Sequence, residues 1–529
     1  RGGNVMNEET MNGNQNVEPA VSAPEAETSV PPVSPEQEMI NQRNLARKEE
    51  QEALKRENER QEACVKVVGE QFGYYGLLSL AYGIIYSLCL YKNTSGILVP
   101  VFTAVSYGMA YLVLKKMNMP IKKWSYYLAA LSLLISISTC RTASYFFIFF
   151  NKQAVLLLWW VFWLHQFYED DAWNIGKYFC TIFQFLFRIV CALGYPFKHC
   201  ASYVKSLKNQ KSRNVVLVLF GVVVAIPLVS ILTIRLSEAD MVFQNILTTF
   251  LDTFLKPSTV IGVVAKTLFG VVAFYCIICE VSRKGIREEV EDRRKQEPIV
   301  AITAMGLVGV LYVMFCGIQI VYLFMGKGVL PDDMTYSEYA RQGFFQLVFV
   351  SLLNLVLVLL CLKYFKKNRV LNVVLTIISL CTYVMMASAG YRMMLYISEY
   401  HLTLLRILVL WFLAVLAVLM AGVLMIIYRN DFPLFRYCIV VISAAYFALA
   451  WSKPDFIIAR YNMSHEAELS YDSVYYLTHL SADAAPEVSK LIGSKWDEYG
   501  NVQNYLAWSH KEMSWRTYNF SYAKAKQYQ

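Results

Sequence analysis

The sequence predicts an all-α, polytopic membrane protein with about eleven transmembrane helices and a small C-terminal extracytoplasmic helical segment. Three observations predict it. The 529 residues are 56% hydrophobic and 15% aromatic but only 17% charged, more apolar than the roughly 45–50% of a soluble globular chain. The apolar residues gather in runs long enough to cross a bilayer. Lys and Arg fall in short clusters between those runs, so the net charge of +9 reads as membrane orientation and not as a nucleic-acid surface.

Taken in order, residues 1–68 form a cytoplasmic tail. Its start is rich in Asn, Glu, Gln and Pro and predicts disorder; from Pro35 a mixed Glu, Lys and Arg run predicts a solvated helix without an apolar stripe. No signal peptide is expected, because no basic start leads into a short apolar region and cleavage site, and Met6 is a plausible initiator. A first membrane region, 69–213, holds spans at 72–90, 96–114, 124–140 and 143–166. Arg141 leaves open whether the third span turns there or runs on to Asn151 and Lys152. The second region, 214–452, holds spans at 215–234, 260–280, 299–325, 344–361, 370–387, 403–428 and 435–451. Residues 453–529 form the extracytoplasmic segment, with helices expected at 469–478 and 487–491.

The basic clusters test this count. Lys115 to Lys123, Lys198 to Arg213, Arg283 to Lys295, Lys363 to Arg369, and Arg429 with Arg436 all land on one side. The positive-inside rule makes that side cytoplasmic, with the amino terminus inside and the carboxy terminus outside. Counting 178–193 as a span would push one cluster outside, so this segment is expected to lie in the inner interface. On the outer side, 235–256 mixes charges with Met241, Phe243 and Phe250 as an interfacial amphipathic helix does, and 326–343 reads as a polar loop whose Tyr336–Arg341 portion looks like the entry to the eighth span.

Motifs for soluble chemistry are missing. Gly326-Lys327-Gly328 lacks phosphate-loop spacing, and the six His belong to no HExxH pattern, so neither a metal nor a cofactor is expected. Twelve Cys lie almost wholly in apolar runs or cytoplasmic segments, which argues against a disulfide framework; Cys276 and Cys279 read as packing. Asn93, Asn462 and Asn519 each open an N-x-S or N-x-T pattern on the outer face, a glycan acceptor only in a glycosylating host. Lys266 is the clearest charge within a span and is expected to snorkel from its outer third.

The most informative stretch is 387–406, ASAGYRMMLYISEYHLTLLR, which sets Arg392, Glu399, His401 and Arg406 among apolar residues. An isolated charge there costs about 2.5–3.5 kcal/mol on insertion scales. Either the two arginines mark the ends of a short outer loop and reach lipid headgroups, or they belong to a shared polar site. The topology also brings Asp240, Glu338, Arg341 and Arg460 to the outer face. Those charges make a salt-bridge network or a binding or catalytic pocket.

RLSEADMVF, TYSEYARQGFFQL, RMMLYISEYHLTLLR and KPDFIIARYNM together resemble, in order and spacing, a family of bacterial polytopic membrane proteins known as domain of unknown function forty-one seventy-three. The resemblance covers roughly 215–491. It implies a bacterial cytoplasmic membrane, and it marks Asp240, Tyr339, Arg341, Gly343, Arg392, Arg406, Arg460 and Asn462 as positions matching the family's motifs. That family has Gly where this chain has His401, which implies no family-wide role for the imidazole. It implies no activity.

The leading functional expectation is a non-enzymatic integral membrane protein that binds an anionic solute, lipid headgroup or peptide at the outer face, for transport or sensing. Guanidinium forks on Arg341, Arg392 and Arg406 suit carboxylate or phosphate. The alternatives are a membrane-embedded transferase or hydrolase using Asp240, Glu338 or His401 as acid or base, and an envelope scaffold. The expected partners are the lipid bilayer, an anionic small molecule or lipid, and envelope proteins, with nucleic acid excluded.

Overall fold

The computed structural model describes residues 35–168, 173, 175–207, isolated positions from 214 to 240, 257–283, 294–321, 336–429, 432–465, 470–497, 500–509 and 511–528. The side chains of 336–343 fall outside that set, as do the disorder expected of the first residues, most of the span expected at 215–234, and the loop 326–335. The chain divides into two compact units, Arg1–Glu59 and Arg60–Gln529. Among the described residues every named element is helical.

The first helices are α1 (Pro35–Glu70), α2 (Phe72–Leu90), α3 (Leu98–Lys116), α4 (Lys123–Arg141) and α5 (Tyr145–Phe167). Next come α6 (Ile175–Cys191), α7 (Tyr195–Ser206), α8 (Pro257–Ser282), α9 (Pro298–Gln319) and α10 (Tyr336–Tyr364). Then follow α11 (Arg369–Tyr400), α12 (Leu404–Tyr428) and α13 (Leu434–Trp451). Ten helical stretches among the described residues are long and apolar enough to cross a membrane. All but one, Gly176–Ser206, coincide with expected spans. Helix α4 is also of spanning length but less apolar, because of its serines, and those hydroxyls are buried against neighbours. Ser136 bonds Thr103 of α3 at 2.8 Å and Ser125 donates to Gln166 of α5 at 2.8 Å. Small polar residues let helices approach closely where lipid offers no hydrophobic drive. The turn that Arg141 left open runs through Thr142 to Ser144.

The helices pack in two groups. In the first, Trp163, Phe274 and Tyr275 are fully buried at the centre of α2, α3, α4, α5 and α8. Helices α2 and α8 cross at two glycines: a Cβ on Gly83 would stand 2.5 Å from the Thr267 carbonyl oxygen, and one on Gly270 would stand 2.9 Å from Gly83 Cα. In the second group, Asn354 of α10 accepts from Tyr312 of α9 at 2.8 Å and donates to Thr382 of α11 at 2.9 Å. Helix α13 joins the groups: Ser138 of α4 donates to the Ala450 carbonyl at 2.8 Å, Tyr446 donates to Asn151 of α5 at 2.7 Å, and Trp411 of α12 donates to the Ala445 carbonyl at 3.0 Å.

Two elements differ from expectation. Helix α11 does not stop at Ala387 but runs unbroken to Tyr400. Its 32 residues give a rod of about 48 Å at 1.5 Å per residue, well beyond the roughly 30 Å hydrocarbon layer. Arg392 and Glu399 therefore sit on a helix, and the loop shrinks to His401–Thr403. The segment after α13 holds more structure than the two helices expected there, with α14 (Pro454–His465), α15 (Tyr471–Leu477), α16 (Ala485–Val488), α17 (Asn501–Ser509) and α18 (Phe520–Ala525). These short helices share a buried core of Ile458, Leu477, Val488, Val502 and Tyr505. We call residues 453–528 the cap.

Candidate functional site

The cap seats on the helix ends opposite the basic clusters, and two polar knots hold it there. The first is the corner after α11. His401 adopts φ +64° and ψ 179°, a conformation glycine takes freely and other residues rarely enter. Arg406 donates to the carbonyls of Tyr400, at 2.5 Å, and His401, and its guanidinium lies 4.3 Å from the Tyr396 ring centroid. A cation over the last carbonyls of a helix meets the negative end of its dipole. Asn462 of α14, buried, grips both backbone polar groups of one residue: it accepts from Leu402 N at 2.8 Å and donates to Leu402 O at 3.0 Å. Tyr476 of α15 accepts from Leu404 N at 3.3 Å.

The second knot centres on Asp483, which is 4% exposed. Thr142 Oγ1 donates to Oδ2 at 2.5 Å, Ala143 N donates to Oδ1 at 3.2 Å, and Ser521 donates to Oδ1. Lys453 Nζ lies 3.8 Å from Oδ1 and donates to Ser521 at 3.0 Å. Beside it Asp455, equally buried, accepts from Ser481 N at 3.3 Å and Ser481 Oγ at 2.5 Å. Burial pushes the Asp455 carboxyl above the usual carboxylate range; Ser481 opposes that and the neighbouring Asp483 charge adds to it. Burial lowers the Lys453 ammonium, against the pull of Asp483. Tyr505 donates to the Ser481 carbonyl at 2.7 Å, and its phenol is pushed up by burial.

Asparagines finish the seat. Asn519 accepts from Ser521 N at the start of α18 and donates to the carbonyls of Ser95, Thr139 and Thr142. Asn93 donates to the Arg516 carbonyl at 3.1 Å, and Arg516 donates to the carbonyls of Leu88 and Tyr91 at the end of α2. All three asparagines read from the sequence as glycan acceptors are thus buried structural residues. Their amides are spent on backbone partners, which withdraws the acceptor reading.

The residues singled out from the sequence do not form one cluster. Arg406 and Asn462 meet at the α11–α12 corner. Arg392 is buried two turns earlier, donating to Gln319 at 3.4 Å beside Ser388. Glu399, Arg460 and Asp240 are exposed; near Asp240, Arg235 pairs with Glu238 at 2.9 Å. The side chains of Glu338, Tyr339, Arg341 and Gly343 lie outside the described residues. Lys266 reaches the Leu90 carbonyl at 3.1 Å, at the end of α2. Lys453, Asp455 and Asp483 were not singled out. The available signals were local: Ser481 sits two before Asp483 as an N-cap residue does, and Lys453-Pro454-Asp455 directly follows a span. All twelve cysteines are free thiols, and no metal-holding group of His, Cys, Asp and Glu occurs among the described residues.

A family model described as Domain of unknown function (DUF4153) matches residues 129–491, well over half of the chain. Its number differs from the forty-one seventy-three that the motifs resembled, and its match begins at 129 instead of 215. What it bears out is a polytopic membrane family of unknown function. Neither a curated protein nor a solved structure matches the chain.

Proposed function

Because the chain belongs to the family described as Domain of unknown function (DUF4153), for which the match supplies no activity, we propose from its geometry that it is a non-enzymatic membrane scaffold. It works by holding a folded cap where other envelope molecules meet it. In this reading the cap stands on the side away from the basic clusters, which the positive-inside rule takes as extracytoplasmic.

The observation that carries this reading is how completely Asp483 is occupied. A carboxylate offers about four acceptor sites. Here donors from the α4–α5 turn, from α18 and from Lys453 surround it. A group so engaged docks one part of the chain on another and has little left for a substrate. The arginines favour the same reading over an anion site, since Arg392 and Arg406 turn to separate partners within the chain. One observation favours the enzymatic alternative: Asp455 and Asp483 are neighbouring buried carboxylates with an amine beside them, the makings of acid–base chemistry.

Photo-crosslinking in intact membranes separates the two. A crosslinker in place of Trp508 or Tyr475, both exposed on the cap, is expected to give a discrete protein adduct that disappears with Asp483→Ala. Lipid adducts alone, together with a substrate turned over by the parent chain but not by Asp455→Asn, would overturn the scaffold.

A further inference from the structure

Residues 176–206 have the length and composition of a span, yet the contacts at both of their ends lie toward the same side of the bundle. Tyr178 stacks on Phe435, in the first turn of α13, with ring centroids 3.6 Å apart. Arg188 lies 3.6 Å from Glu280, in the last turn of α8. His199 Nδ1 is 3.0 Å from the Tyr275 hydroxyl, and Tyr203 packs on Phe72, the first residue of α2, at 5.5 Å. These helix ends adjoin the basic clusters at Arg436, Arg283 and Lys115–Lys116. A straight span would carry Tyr203 about 37 Å from Tyr178 toward the other side at 1.5 Å per residue. Instead both ends stay on the basic side.

The two helices present one pattern across the break between them. Tyr178, Phe185, Ala192 and His199 are buried against the bundle, while Phe183, Phe187, Val190, Leu193 and Phe197 turn away and are 46–69% exposed. Lys198 and Lys205 are exposed beside that stripe. Arg188, half-buried, is tied to Glu280, whose side chain is 3% exposed and also lies 3.3 Å from Arg283.

We propose that α6–α7 is an in-plane amphipathic strap that binds an anionic phospholipid surface on the basic side. Its aromatic stripe beds at the acyl boundary, Lys198 and Lys205 meet headgroup phosphates, and Arg188 with Glu280 pins it to α8. An apolar stripe flanked by cations fits that surface because burial and charge attraction add. This strap is on the opposite side from the cap and does not depend on the scaffold reading.

The test uses the full chain, otherwise free of cysteine, with a fluorophore on Cys180 or on Ala201→Cys, both positions being exposed. It is reconstituted in phosphatidylcholine with or without phosphatidylglycerol. Nitroxides at headgroup depth are expected to quench both positions more than nitroxides at mid-chain, and more strongly when the anionic lipid is present. Impermeant thiol reagents should reach both from the same side. Lys198→Gln with Lys205→Gln is expected to lower the co-purified anionic phospholipid severalfold. The composition dependence is read on unaltered lysines, so a poorly folding variant leaves the test intact. Labelling of 180 and 201 from opposite sides, crosslinked dimers in place of lipid quenching, or equal quenching in both bilayers would each overturn the proposal.

Discussion

His401 shows how one backbone angle decides what a position wants. At φ +64° and ψ 179° a side chain costs of the order of 1–3 kcal/mol. His401→Gly is therefore expected to raise thermal stability in detergent by about 1 kcal/mol, net of the extra freedom glycine gains when unfolded; an unchanged or lower melting temperature refutes the strain. Asp455 makes a prediction in pH. Its folded pKa lies above the ordinary value, so the folded chain holds more protons than the unfolded one between the two. Stability should be highest below the unfolded pKa and fall as pH rises through the folded one. Asp455→Asn, which keeps an oxygen for Ser481, is expected to flatten that fall in melting curves taken from the acid range to neutrality. Both residues mark a limit of sequence reading. A left-handed backbone and a buried acid follow from what packs around them, and the surrounding letters give little sign of either.

Among the elements, the spans were legible because apolarity over about 20 residues has few other meanings. The proposed strap is set apart from them in the sequence only by the side on which its flanking lysines fall. The last turns of α11 were not legible: Arg392 looks like a loop residue until Gln319 of α9, which accepts from it and from Ser388 one turn earlier, is known. The α2–α8 crossing was equally hidden, since one glycine in an apolar run looks like another. With Thr267 O and Val271 Cγ2 both 2.5 Å from a built Cβ, Gly83→Leu must force the helices apart. Overpacking of this kind costs about 1–3 kcal/mol or more. Thermal unfolding should show that loss, while Gly108→Leu, with open space around its Cβ, should be nearly silent.

Across the whole molecule, the cap bears on both helical groups. It touches the α2–α3 turn through Asn93 and Arg516, the α4–α5 turn through Asp483 and Asn519, and the α11–α12 corner through Asn462. Removing Asp483 takes the acceptor from Thr142, Ala143 and Ser521 and the counter-charge from Lys453, so Asp483→Ala is expected to cost about 3 kcal/mol, the lower end for a broken buried pair because Lys453 keeps Ser521 and is 27% exposed. Asp483→Asn should cost less, and protease should cut the cap in the alanine variant first. If both variants melt with the parent, Asp483 does not hold the cap.

That arrangement also sets an order of events during synthesis. Thr142, Asn93 and the corner at Leu402 leave the ribosome well before residues 453–528, and their partners do not yet exist when the spans they belong to insert. Until the last stretch is made and folds onto them, those turns carry hydrogen-bonding groups that the cap has yet to fill. A ribosome stalled near residue 450 would thus display a partly assembled protein for as long as the stall lasts. Any membrane protease or insertion chaperone that reads exposed polar turns has that interval in which to act.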